Sequence, residues 1–101
     1  MAIRVGDYSF EGPFKFLNIV RDVPGLFAVH YYRDGKYFLL DIGEEEKLRS
    51  ALEQHARHDE WDRFARGVLT FAVLYTGEHT VKERRAAVVE LREHYQPVCG
   101  R

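Results

Sequence analysis

The chain has 101 residues, with fifteen Lys or Arg against sixteen Asp or Glu and a formal net charge of −1. This length holds one hydrophobic core, and 46% apolar residues are enough to fill it, so we predict a single domain over residues 1–101. The balanced charge excludes a histone-like nucleic-acid binder but leaves room for a local basic face.

Cysteine content and hydropathy bear on the compartment. The single cysteine, Cys99, cannot form an internal disulfide, and no apolar signal stretch opens the sequence. No apolar run reaches the roughly 20 residues that a membrane span needs. We therefore expect a cytoplasmic protein without a membrane segment.

Residues 1–23 are predicted to form an N-terminal arm packed on the domain. Tyr8-Ser9-Phe10 alternates like a short strand, and Gly12-Pro13 interrupts it. The apolar residues between Phe14 and Val20 suit one turn of helix or an extended arm. Pro24 ends this segment.

The strongest local signal is a predicted β-hairpin. Two apolar and aromatic runs, Leu26 to Tyr32 and Tyr37 to Ile42, flank the dipeptide Asp34-Gly35. Both central residues of a type I′ turn need positive φ, which an Asp-Gly pair tolerates. Both faces of this hairpin are apolar, as in a sheet that is covered on both sides.

Asp41 is the exception in the second run, because it is a carboxylate among apolar residues. Strict alternation predicts that its side chain faces away from those of Leu40 and Ile42. The carboxylate either caps a helix beginning at Gly43 or serves as a metal ligand.

The rest of the chain predicts two helices around one strand. The first helix is expected after Gly43, with Glu44–Glu46 in its first turn, and its apolar stripe is formed by Leu48, Ala51, Leu52 and His55. It should end near His58-Asp59-Glu60, with Trp61 and Phe64 anchoring the return loop.

The third strand is predicted over Val68 to Tyr75, where the sequence is almost wholly apolar. Thr80 and Glu83 form a predicted capping box for the last helix, which runs to about Tyr95. The fold class is therefore α+β, a small antiparallel three-stranded sheet flanked by helices in the order β-β-α-β-α.

The hairpin motifs resemble those of the GIY-YIG nuclease domain. Gly25-Leu26-Phe27 stands where that family has GIY, and Asp41-Ile42-Gly43 stands where it has YIG. The segment from Val88 to Gly100 is similar to the family's last helix and tail. The resemblance covers Pro24 to Gly100 and implies metal-assisted phosphodiester cleavage.

Carried over residue by residue, the resemblance implies a degenerate site. The metal-binding glutamate falls on Glu90, which would hold Mg²⁺ or Mn²⁺. The two motif tyrosines fall on Phe27 and Asp41, the catalytic arginine falls on Ala51, and His55 matches a histidine that some members use. Phe27 has no hydroxyl group and Ala51 has no charge, so we expect impaired catalysis.

We therefore expect a GIY-YIG-like domain that acts as a nucleic-acid or protein interaction module. Lys82, Arg84 and Arg85 are the predicted phosphate contacts. The alternative is an active metal-dependent endonuclease that cleaves DNA with a rearranged site made of Asp41, His55 and Glu90. A third hypothesis is a domain that binds a partner but no nucleic acid.

Overall fold

The computed structural model describes residues 1–100, which form an α+β fold with one five-stranded antiparallel sheet. The strands are Ala2–Val5 (β1), Tyr8–Phe14 (β2), Gly25–Arg33 (β3), Lys36–Glu45 (β4) and Val68–Tyr75 (β5). The helices are Leu48–Glu53 (α1), His58–Phe64 (α2) and Val81–Tyr95 (α3), with a 3-10 turn at Leu17–Ile19. The strands lie in the order β1-β2-β5-β3-β4.

The prediction of three strands is wrong because the N-terminal arm is itself a β-hairpin. β1 pairs with β2, and β2 pairs with the free edge of β5. The pairing between β2 and β5 shifts between Glu11 and Phe14, so the ladder passes the Gly12-Pro13 break as a bulge. Phe10, on β2, is completely buried in the cluster that α3 covers.

The predicted central hairpin is confirmed. Asp34 and Gly35 have φ of 53° and 80°, as a type I′ turn requires. β3 lies between β4 and β5 and pairs with both in antiparallel register. It is therefore the central strand of the three that the sequence predicted.

The core has one layer on each face of the sheet. On the first face, α1, α2 and the 3-10 turn cover residues that include Phe27, Val29, Leu40 and Trp61. On the second face, α3 covers a smaller cluster of buried residues, namely Val5, Phe10, Leu26, Ala28, Ile42, Ala72 and Leu91.

A β-bulge at Leu40 corrects the predicted faces of β4. Val29 pairs with Asp41 but His30 pairs with Leu39, so Leu40 is an extra residue in the ladder. Leu40 and Asp41 consequently both project toward the face that α2 covers, and Ile42 projects toward α3. Strict alternation had placed Leu40 with Ile42 and opposite Asp41.

The first predicted helix is also wrong in its bounds. Hydrogen bonding to β3 extends β4 through Glu45, so α1 begins only at Leu48 and ends at Glu53. A second helix, α2, occupies the region where the prediction placed a stop and a return loop, and Trp61 lies within it, fully buried.

The later elements are confirmed. β5 covers Val68–Tyr75, and α3 runs from Val81 to Tyr95 behind the capping box of Thr80 and Glu83. Among the helices of residues 1–100, none has the length and apolar character that a membrane crossing demands.

A candidate functional site around Asp41

The two hairpin motifs lie side by side across β3 and β4. Phe27 pairs with Gly43, and Gly25 pairs with Glu45. A Cβ atom on Gly43 would lie 2.4 Å from the Phe27 ring, and one on Gly25 would lie 2.3 Å from the Leu74 carbonyl oxygen. Glycine is therefore required at both positions by close packing.

Asp41 is the centre of a buried charged cluster. Its side chain is fully buried, and Oδ2 accepts hydrogen bonds from Arg57 Nε at 2.6 Å and from Trp61 Nε1 at 2.7 Å. Oδ1 accepts from Arg92 Nη1 at 2.7 Å and from the Ile42 N–H at 2.9 Å. Arg57 Nη2 adds a longer contact to Oδ1 at 3.2 Å. Both oxygens are thus fully used as acceptors.

The arginine from α3 also fixes the segment after that helix. Arg92 Nη2 donates to the Cys99 carbonyl at 2.5 Å, and the Cys99 N–H donates to the Leu40 carbonyl at 3.0 Å. The Gly100 N–H donates to Glu60 Oε1 at 2.5 Å. The cluster consequently ties α3, β4 and α2 together at one edge of the sheet.

These partners change the interpretation of Asp41. The helix-capping alternative is wrong, because α1 begins at Leu48 and Asp41 bonds to arginines. Sequence reasoning missed Arg57 and Arg92 as its partners. One signal was available: a carboxylate in an apolar run can be buried in ionised form only if cations accompany it.

His55 lies beside this cluster in an aromatic setting. Its ring centroid is 5.4 Å from that of Phe27 and 4.8 Å from that of Trp61. Nδ1 accepts the Arg57 N–H at 3.1 Å, so the ring hydrogen is on Nε2, which lies 3.5 Å from Glu45 Oε2.

The surroundings of His55 and Glu45 disfavour the charged form of each side chain. Burial, and then the charge of Arg57, lower the pKa of His55, while burial and the neighbouring Glu44 raise the pKa of Glu45. Both shifts oppose the charges that an ion pair needs, so the 3.5 Å contact between His55 Nε2 and Glu45 Oε2 is not a strong ion pair.

Cys99 is not a reactive thiol in this setting. Burial, followed by the nearby charge of Glu60, raises its pKa to about 12. The thiol is consequently protonated at neutral pH and behaves as a small apolar side chain in the core.

The predicted site residues fall into three places. Phe27, Asp41 and His55 meet around Trp61. Ala51 lies apart from them, on a groove of about 440 Å³ that Glu44–Glu46 and Arg85 also line. Glu90 is exposed on α3, the helix that covers the opposite face of the sheet from Phe27.

The predicted phosphate contacts lie beside acidic residues. Arg84 is only 3% exposed, and its Nη2 donates to Glu46 Oε1 at 2.6 Å. Arg85 is exposed, and its Nε lies 3.7 Å from Glu44 Oε1. Lys82 is exposed on the first turn of α3. The field of the glutamates therefore offsets that of the arginines.

No grouping of three or more His, Cys, Asp or Glu suited to a metal ion occurs in the part of the chain that the structure describes. A metal role of Glu90 would thus depend on ligands from elsewhere, such as substrate phosphates. That role stays a prediction.

A surface rich in aromatic side chains lies at the turn of the central hairpin. We call Tyr31, Tyr32, Tyr37 and Phe38 the aromatic tip. Tyr31 stacks on Phe38 with centroids 4.9 Å apart, and Tyr32 lies 5.0 Å from Tyr37. Three of the four rings are 39–42% exposed, and Arg33 and Lys36 lie beside them.

Comparisons with known protein families, with curated proteins and with solved structures find no match for this chain. Its function is therefore inferred from the chemistry of its own residues.

Proposed function

We propose that this chain is a degenerate GIY-YIG-like domain that binds single-stranded nucleic acid through the aromatic tip and has lost efficient cleavage. The observation that carries the proposal is the pair of cross-strand aromatic contacts at the tip, partly exposed and flanked by two cations.

The aromatic tip has the two components that single-strand binding requires. Exposed ring faces accept stacked bases, each worth about 1–3 kcal/mol, and do so without regard to sequence. Arg33 and Lys36 supply two positive charges, and Asp34 supplies one negative charge. The Arg33 Nε atom lies 3.5 Å from Asp34 Oδ2. The type I′ turn presents both groups at the end of β3 and β4, where β3 is still paired with β5 through Tyr31 and Tyr32.

Electrostatics favour the tip over the groove at α3. The groove beside Ala51 presents Glu44, Glu45 and Glu46, which repel a phosphate backbone. We therefore expect Lys82 and Arg85 to contribute less to binding than Arg33 and Lys36.

The loss of cleavage is supported by what occupies the motif positions. Asp41 accepts hydrogen bonds from two arginines and an indole, so its oxygens are not free for water or metal. Phe27 offers no hydroxyl, and Ala51 offers no charge to the transition state. Loss of one such electrostatic donor typically costs about 100- to 1,000-fold in rate.

The binding claim is tested by fluorescence anisotropy with a labelled oligothymidylate of about 15 nucleotides, which covers the usual site size. The double variant Tyr37→Ala/Phe38→Ala should bind more weakly by roughly 30-fold or more, because two stacking faces worth about 1–3 kcal/mol each are lost. The matched control is Phe16→Ala, which removes an aromatic side chain that is 74% exposed and is not part of the tip.

Three outcomes contradict the proposal. The first is the absence of oligonucleotide binding by the unaltered chain, and the second is equal weakening by Phe16→Ala. The third comes from a supercoiled-plasmid assay in Mg²⁺ or Mn²⁺, where we expect no nicking. Strong nicking abolished by Glu90→Ala would instead support the alternative, an active endonuclease with a rearranged site.

A further inference from the structure

The connection between α2 and β5 lies against the aromatic tip. A Cβ atom on Gly67 would lie 2.1 Å from the Tyr32 carbonyl oxygen and 3.1 Å from Arg33 Cβ, so this glycine is in contact with the end of β3. Val68, the next residue along the chain, pairs with Tyr32 in the sheet. The residues that precede Gly67 are therefore held close to the tip by backbone packing.

Two arginines precede this contact. Arg63 lies in the last turn of α2, and Arg66 is the residue directly before Gly67. Consecutive Cα atoms are about 3.8 Å apart, so the Arg66 backbone lies within one residue of the contact with Tyr32. Both arginines are exposed, and neither forms a side-chain hydrogen bond or an ion pair among residues 1–100. Their charges are therefore available to a ligand.

The net charge around this contact is positive. Residues 33–36 and 62–66 together contain four basic and two acidic side chains. Asp62, the acidic residue next to Arg63, is oriented toward His58, because its Oδ2 lies 3.3 Å from the Nδ1 of that histidine. This end of the sheet therefore attracts a phosphate backbone, in contrast to the glutamate-lined groove beside α3.

The stack of Tyr31 and Phe38 lies on the face of the sheet that α2 covers. Tyr31 and Ala65 both pack against the core cluster on that face. Ala65 lies between Arg63 and Arg66 in the sequence. Phe38 pairs with Tyr31 and stacks on it, so its ring lies on the same face, where it is 41% exposed. This side of the molecule thus offers an exposed ring for a base and two unpaired cations for phosphates.

We infer that a bound single strand runs along this side of the molecule, with a base on the Phe38 ring and phosphates on Arg66 and Arg63. The ligand is therefore an oligonucleotide rather than a free nucleotide, because the ring and the two cations contact successive parts of one backbone. This inference rests on the function proposed above and specifies the path of the strand. Aromatic rings combined with cations that follow the backbone are typical of proteins that bind single strands without sequence preference.

The first experiment measures how salt weakens binding of the full chain to the same oligothymidylate. For single strands, each neutralised phosphate contributes about 0.7 to the slope of log Kd against log salt concentration. The double variant Arg63→Gln/Arg66→Gln should therefore lower this slope by about 1.4. The same loss of two phosphate contacts should raise Kd roughly 10- to 30-fold at about 0.1 M salt.

The matched control is Arg4→Gln/Lys82→Gln, which removes the same charge from exposed residues at the other end of the sheet. Arg4 pairs with Ser9, two residues before Glu11, and Glu11 pairs with Val73, so Arg4 lies level with the end of β5. Lys82 is in the first turn of α3, which follows that end of β5. Because the tip lies at the start of β5, this control should leave the slope and Kd unchanged.

Amide chemical shifts in ¹H–¹⁵N spectra locate the strand independently. The oligothymidylate should shift the amides of Arg66 and Gly67 as well as that of Phe38, and should leave that of Arg4 in place. Shifts confined to the aromatic tip, or equal changes of slope in the two double variants, overturn the inference. In both cases a loss of binding in Tyr37→Ala/Phe38→Ala still supports the proposed function, whereas an absence of binding by the unaltered chain overturns both.

Discussion

Two charged clusters, each with a buried central group, have opposite compositions. Around Asp41, one carboxylate lies between two guanidinium groups, whereas around Arg84 one guanidinium lies between two carboxylates. In the first cluster each carboxylate oxygen has at least two donors. In the second, Nε has no hydrogen-bond partner and a cavity lies beside it.

The difference indicates which cluster is structural. A saturated cluster has nothing left to offer a ligand, and its hydrogen bonds hold secondary-structure elements in one arrangement. The Arg84 cluster lacks this saturation, because its Nε is buried without a hydrogen-bond partner. Asp41, which the GIY-YIG resemblance marks for chemistry, is consequently committed to structural hydrogen bonds.

Asp41→Asn should have the largest effect on this comparison. The change leaves two guanidinium groups facing a neutral amide in a buried place, and we expect a loss of roughly 3–5 kcal/mol in the free energy of unfolding. Urea denaturation measures it. Glu90→Gln, on the exposed side of α3, is the control and should lie within about 0.5 kcal/mol of the parent chain. A loss below about 1 kcal/mol for Asp41→Asn would show that the cluster is not structural.

His30 sharpens the comparison, because it is a buried titratable group without a countercharge. It is 4% exposed, its Nδ1 has no partner, and burial lowers its pKa to about 4 from 6.5. The unfolded chain therefore takes up a proton below pH 6.5 that the folded chain resists until about pH 4. Stability should fall across this window as the pH falls, by on the order of 3 kcal/mol.

The measurement is the unfolding free energy at several pH values across that window. His30→Leu should flatten its slope, while the exposed His94→Leu should keep it. The lowered pKa of His55 acts in the same direction, so some slope is expected in every variant. Equal slopes in the parent chain and His30→Leu would contradict the assignment.

Arg84→Met should have a smaller effect than Asp41→Asn. Glu46 is 62% exposed, so it returns to water when its partner is removed, and we expect a loss of roughly 1–2 kcal/mol. The same urea titration measures it. A loss that equals or exceeds that of Asp41→Asn would mean that the two clusters do not differ in structural weight.

The parts of the fold that were predictable are those specified by neighbouring residues. The Asp34-Gly35 turn and the Thr80–Glu83 capping box each have a local chemical cause, and both are present. The β1–β2 hairpin was missed because β2 depends on pairing with β5, which is distant in sequence. The start of α1 was misplaced because pairing with β3 satisfies the backbone through Glu45.

The candidate site also depends on residues that are distant in sequence, which limited its prediction. Asp41 stood out in the sequence as a carboxylate in an apolar run, and it is the centre of a cluster. Its partners Arg57 and Arg92 are separated from it by 16 and 51 residues, so no spacing rule connects them. The exposure of the aromatic tip depends on how far α2 and the sheet cover it, which is a property of the whole fold.

The bulge at Leu40 has a consequence for any chain built on the same plan. Deleting that one residue from β4 would restore strict alternation, and Asp41 would still pair with Val29 on the face that α2 covers. The deletion would instead remove the apolar side chain of Leu40 from the cluster that contains Trp61, together with the carbonyl that accepts from the Cys99 N–H. The extra residue therefore lets β4 bury an apolar side chain and a carboxylate, next to each other in sequence, on one face of the sheet.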